Sequence, residues 1–234
     1  MISIIALILY IINYKIFNST LLNFNVFKIR TFRVTVIGSL FSRVGIGGIP
    51  FLLPLLFQLG FKYSPLISGL LVFPMAVAMF IMKFYVKPVL KLVGFKKSLM
   101  FNTLLLGISI CSFSILDKSS NWCLIIGLVF INGIFSSMQF SCMNVLTYVD
   151  LEPQILSQGT SIGSSIQQLS MSFGVAFGAI CLKYFLSFYK LENFNTVAFS
   201  YSFIVIGTFT IFTAFIFTLL KSSDGITASG YKKG

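Results

Sequence analysis

The side chains most able to do chemistry in this chain lie inside apolar runs. Arg43 is the only charge well within its stretch. Asn132, Ser136 and Gln139 recur at helical spacing on one face, and Ser137, Ser141 and Asn144 on the adjacent one. Further on, Ser161, Ser164, Ser165, Gln168 and Ser172 form a polar stripe, with Gln167 beside it. Amides both donate and accept hydrogen bonds, and a guanidinium offers five donors, so these groups suit recognition of varied polar ligands. Covalent catalysis is a poor fit. The chain has no histidine and only five carboxylates, Asp117, Asp150, Glu152, Glu192 and Asp224, all in expected loops or tail. No catalytic residue, cofactor or metal site is expected, and an integral-membrane enzyme is the weakest reading.

The elements that must position these groups are apolar stretches near the length of a membrane span. A hydrocarbon core of about 30 Å needs roughly 20 apolar residues per helix. Six such stretches occur, about 34–59, 66–86, 98–116, 122–144, 161–186 and 198–220. Hydrophobic residues make up 57% of the chain and charged residues 9%, too few charges to cover a soluble protein of this size. The net charge of +12 follows topology and does not signal a nucleic-acid partner. Lys83, Lys87, Lys91, Lys96 and Lys97 cluster in one loop region, Lys15, Lys28, Arg30 and Arg33 precede the first full span, and Lys221, Lys232 and Lys233 follow the last. Lys/Arg excess in short loops marks the cytoplasmic side. Six spans then put every basic cluster on that side.

Three segments follow: residues 1–33, the end of a truncated preceding helix plus a cytoplasmic linker; 34–220, the six-span bundle; and 221–234, a disordered cytoplasmic tail. Met1–Tyr14 is apolar but too short to cross a bilayer, and it lacks the basic start and cleavage site of a signal peptide. The expectation is that the chain begins inside a larger protein. Gly45, Gly47, Gly48, Pro50 and Pro54 are expected to interrupt the first span, and Pro74 the second. Cys111, Cys123, Cys142 and Cys181 show no CxxC spacing and read as small membrane hydrophobes.

Two blocks carry a family resemblance. One is TFRVTVIGSLFSRVGIGGIPFLLPLLFQLGFKYSPLISGLLVFPMA from Thr31, continued by KPVLKLVGFKKSLMFN to Asn102; the other is SSMQFSCMNVLTYVDLEPQILSQGTSIGSSIQQLSMSFGVAFG over Ser136–Gly178. Together they resemble the C-terminal half of a major facilitator superfamily transporter, more narrowly a multidrug drug:proton antiporter of the EmrB/QacA type. The resemblance implies an all-α membrane fold: a six-helix C-terminal bundle preceded by the stub of another helix. It also implies two inverted three-helix repeats and a site shared with an N-terminal bundle that this sequence does not supply. The partners implied are the lipid bilayer of a bacterial inner membrane and, once an N-terminal bundle completes the site, a small amphipathic substrate and protons. No position here inherits the antiporter motif or the acidic coupling residues of that bundle. A non-transporting membrane protein, or the remnant of a broken transporter gene, is the alternative.

Within that frame the candidate cavity residues are Arg43, Asn132, Gln139, Asn144, Gln167 and Gln168. Arg43, about nine residues past the expected start of its span, is roughly 13 Å deep at 1.5 Å per residue. An arginine at mid-membrane costs about 2.5–3.5 kcal/mol on insertion scales, so it must face protein or water. It is either a hydrogen-bond hub between helices or a contact for substrate and coupling. The amides likewise either line a cavity or tie helices together. The loop VKPVLKLVGFKK resembles the superfamily's cytoplasmic loop motif through Gly94, Lys96 and Lys97, the gating candidates. It has no acidic residue before the glycine.

Overall fold

The computed structural model describes residues 24–189, 196–221 and 224–229. A backbone in hydrocarbon must satisfy its own hydrogen bonds, and every long element described is a helix. These are α1 (Arg30–Leu55), α2 (Pro65–Val93), α3 (Phe95–Ser112), α4 (Trp122–Tyr148), α5 (Pro153–Phe188) and α6 (Thr196–Thr213). A π-helical turn, Leu56–Gly60, extends α1, and 3-10 turns extend α3 over Phe113–Ile115 and α6 over Ala214–Leu219. With these extensions, six helices are long and apolar enough to cross a membrane. The expected Met1–Tyr14 stub and most of the loop between α5 and α6 lie outside the described residues.

Local signals explain several boundaries. Ser64 caps α2, its Oγ accepting from the Ile67 N–H at 3.3 Å, with Pro65 at the first helical position. Asn121 caps α4 by accepting from the Cys123 N–H at 2.9 Å. Gly94 alone separates α2 from α3, at φ 76°, a conformation that favours glycine.

The helices run further than their apolar cores, because polar and basic end turns stay helical beyond the hydrocarbon. Pro50 and Pro54 do not break α1 as expected from sequence; the helix continues through both and ends in the π turn. Since α1 begins at Arg30, Arg43 is thirteen residues in, about 20 Å along the axis, of which the first turn is the basic stretch before the apolar span.

Three pairs dominate the packing: α1 with α5, α2 with α4, and α3 with α6. Exchanging the first three helices for the last three leaves this pattern unchanged, as two inverted repeats require. Lipid supplies no hydrophobic drive between helices, so close approach depends on small residues. Each pair crosses at glycine. A Cβ on Gly174 would stand 2.6 Å from the Val44 carbonyl oxygen, one on Gly133 2.5 Å from that of Met75, and one on Gly107 2.7 Å from that of Gly207. Helix α1 is central, with 67% of its span buried, against 22% for α2 and 28% for α5.

At one end of the bundle, basic side chains cap the last carbonyls of α6: Arg30 Nη1 donates to Leu219 O at 3.0 Å and Lys96 Nζ to Thr218 O at 2.9 Å. Part of the segment expected to be a disordered tail packs here. Asp224 forms an ion pair with Arg30, Gly225 abuts Phe95, and a short helix α7 spans Ile226–Ser229. The tail's one carboxylate finds a cation brought near only by the fold. The N-terminal end of α1, the α2–α3 turn and the end of α6 thus meet at one pole.

Candidate functional site

Arg43 is 4% exposed near the middle of α1. Its Nε donates to Ser39 Oγ at 2.7 Å, one turn earlier, and its Nη2 donates across to Asn144 Oδ1 on α4 at 2.8 Å. Its Cζ lies 4.6 Å from the centroid of the Phe140 ring, a cation–π arrangement. Among the described residues one salt bridge forms, Arg30–Asp224, so no carboxylate neutralises Arg43. Tyr148, one turn beyond Asn144, accepts from Gln167 Nε2 on α5 at 3.4 Å. Gly163 leaves the room for that phenol. Helix α4 thus ties Arg43 of α1 through Asn144 and, one turn further on, Gln167 of α5 through Tyr148.

Asn144 is exposed, and so are Ser161, Ser164, Ser165, Gln168 and Ser172 along α5. The serines are less polar than their type implies. Ser161, Ser165 and Ser172 each donate to the carbonyl four residues back, at 3.0, 2.9 and 3.1 Å. Such back-bonds satisfy the hydroxyl proton without a ligand. The polarity offered outward is carried chiefly by Asn144 and Gln168.

Asn132 and Gln139 belong elsewhere. They are 1% and 0% exposed and point at α3. Asn132 Nδ2 donates to Ser109 Oγ at 2.8 Å; Gln139 Nε2 donates to Thr103 Oγ1 at 2.8 Å and its Oε1 accepts from Asn102 Nδ2 at 2.8 Å. Of the two roles open from sequence, the geometry gives these amides the helix-tying one. Lys96 is held by α6 and Gly94 is the α2–α3 hinge, whereas Lys97 is exposed. All four cysteines are free, Cys123 exposed and Cys142 buried.

Beside the polar cluster runs an apolar groove of about 470 Å³, within the range of sites for drug-sized ligands, roughly 300–1,000 Å³. Pro50, Pro54, Met75, Met79, Phe140 and Met171 line it, with Gln58 and Ser68 as its polar points. Phe140 belongs to both features, since its other contact is the Arg43 guanidinium. A search for polar residues misses this wall. The available signals were Met75 and Met79 one turn apart, and Phe140 four residues before Asn144.

The family model of the Major Facilitator Superfamily matches residues 35–231. The chain belongs to the major facilitator superfamily. Its relatives include the probable transport protein HsrA of Haemophilus influenzae, 34% identical over 87% of this chain and 43% of that protein. The putative multidrug resistance protein MdtD of Escherichia coli O6:H1 is 33% identical over 92% of this chain and 46% of its own length, and that of Escherichia fergusonii matches to the same extent. The chain thus spans about half the length of the curated relatives it matches, in their C-terminal halves.

Proposed function

We propose that this bundle forms one wall of a secondary active exporter of amphipathic compounds, facing a second six-helix bundle across α1, α2, α4 and α5. The observation that carries the reading is the exposed amide face of Asn144 and Gln168 beside the 470 Å³ groove. Gln168 stands fifteen residues into α5 (168 − 153 = 15), about 22 Å from its start and so at membrane depth. Lipid would leave the Gln168 amide and the Asn144 Nδ2 without partners, whereas a wet path between two bundles would not. Methionine and phenylalanine in the groove accept apolar shapes with little demand on geometry, which suits varied substrates.

Proton coupling is part of this proposal. Among the described residues no carboxylate lies inside a span, so the groups that bind the proton would come from the facing bundle. Alternating access needs one bundle to rock against another, and this bundle alone is expected to be inactive. The test is dye efflux in an efflux-deficient bacterium expressing this chain with and without the N-terminal bundle of a related transporter. Energy-dependent efflux only on co-expression supports the reading. Efflux by this chain alone sinks the two-wall arrangement, and none in either case favours a non-transporting protein.

A further inference from the structure

A second cavity lies on another side of the bundle, between α2, α3 and α4, and shares no lining residue with the groove. Its volume is about 240 Å³, below the roughly 300–1,000 Å³ of sites that enclose a drug-sized molecule. Met82, Val89, Phe101, Leu105 and Met138 are among the apolar residues of its wall. Phe101 and Leu105 are 61% and 45% exposed, so the cavity opens sideways where a spanning helix meets acyl chains. A small apolar slot of this kind takes part of a chain whose remainder stays in the bilayer.

Two polar features fix one end of such a chain. Ser98, 5% exposed, lines the cavity, and its Oγ is buried without a hydrogen-bond partner. A buried hydroxyl left unpaired in hydrocarbon is unfavourable and is relieved by any acceptor within reach. The other polar group of the wall, Asn102, already donates to Phe135 O and Gln139 Oε1, so Ser98 is the unused donor. Directly before it, Lys97 is exposed one turn ahead of Phe101, in the basic stretch Lys87–Lys97. Lys96 is committed to Thr218 O, which, among the described residues, leaves Lys97 as the cation of α3 with no such bond. Basic clusters at the ends of spanning helices attract anionic headgroups.

We propose that this cavity is a binding site for an anionic phospholipid of the adjoining leaflet. One acyl chain lies in the slot, Ser98 Oγ donates to the ester carbonyl, and Lys97 pairs with the phosphate headgroup. The site lies outside the transport path and stands whether or not that reading holds.

Native mass spectrometry of the detergent-purified full chain, loaded with phosphatidylglycerol or with phosphatidylcholine, tests it. The unaltered protein should retain phosphatidylglycerol several-fold more than phosphatidylcholine. Lys97→Gln should abolish that preference, whereas Lys118→Gln, in the loop before α4, should leave it intact. Ser98→Ala should lower retention of both lipids, because both carry the ester. Leu105→Trp, which fills the slot, should do the same, and each variant's elution profile checks its folding. Equal retention of the two lipids by the unaltered protein would overturn the proposal, as would an undiminished preference in Lys97→Gln. Full competition by free glycerol phosphate would overturn the role of the slot.

Discussion

At the scale of single residues, Arg43 and Gln139 show how similar settings in sequence lead to different tasks. Both are polar, buried and inside spans. Gln139 has partners on each side of its amide, Thr103 and Asn102. Gln139→Ala would leave buried polar groups unpaired, at a cost of about 1–3 kcal/mol. It should lower the thermal midpoint in detergent while leaving substrate range in a full-length relative unchanged; an altered range at normal stability would restore it to the cavity. Arg43 uses two positions of its planar fork and lays its face on Phe140. A lysine cannot reproduce that geometry. Arg43→Lys and Arg43→Ala should therefore insert and fold but reduce efflux in a full-length relative by about tenfold, the loss of roughly 1.4 kcal/mol. Unchanged efflux at normal yield would remove Arg43 from the site, and loss of folded protein would make it a packing hub only.

At the scale of elements, the helix pairs are set by where glycine permits backbones to touch. A Cβ at Gly174 would meet the Val44 carbonyl at 2.6 Å and Gly47 Cα at 3.0 Å, atoms of a helix core that cannot swing aside. Gly69 and Gly127 have nothing within 4 Å of the same added atom. Gly174→Ala should thus cost about 1–3 kcal/mol by overpacking, whereas Gly69→Ala should be neutral or slightly stabilising. Fluorescence-detected size exclusion after graded heating separates the two. Equal behaviour would show that α1 and α5 cross less closely than described. Gly174 and Gly178, four residues apart, face Gly47 and Gly48 of α1, whose role in this crossing is decided by the packing of two helices distant in sequence.

At the scale of the whole molecule, the distribution of charge predicts orientation. The basic ends of α1, α2 and α3 gather at one pole, and Cys123 is exposed beside the loop at the other. An excess of lysine and arginine predicts that pole to be cytoplasmic. In intact cells an impermeant maleimide should label native Cys123, but not a Lys91→Cys or Ser229→Cys variant carrying Cys123→Ser. Labelling at either introduced cysteine would invert or break the topology.

Sequence alone determined the number of spans, their approximate limits and the clustering of charge. Each of these depends only on local composition measured against a fixed membrane thickness. Helical spacing likewise placed Asn132 and Gln139 on one face and Ser161, Ser165 and Gln168 on another. It could not say which neighbour each face meets, because periodicity is a property of one helix and contact is a property of two. Tertiary structure decided that α3 takes the first pair of amides, that α4 delivers Asn144 to Arg43, and that Asp224 returns to Arg30 across 194 residues. It also decided where the apolar groove lies, since Pro50, Met75, Phe140 and Met171 come from four helices. Those outcomes follow from which backbones can approach closely, and that is settled by glycines distant in sequence meeting at the crossings of packed helices.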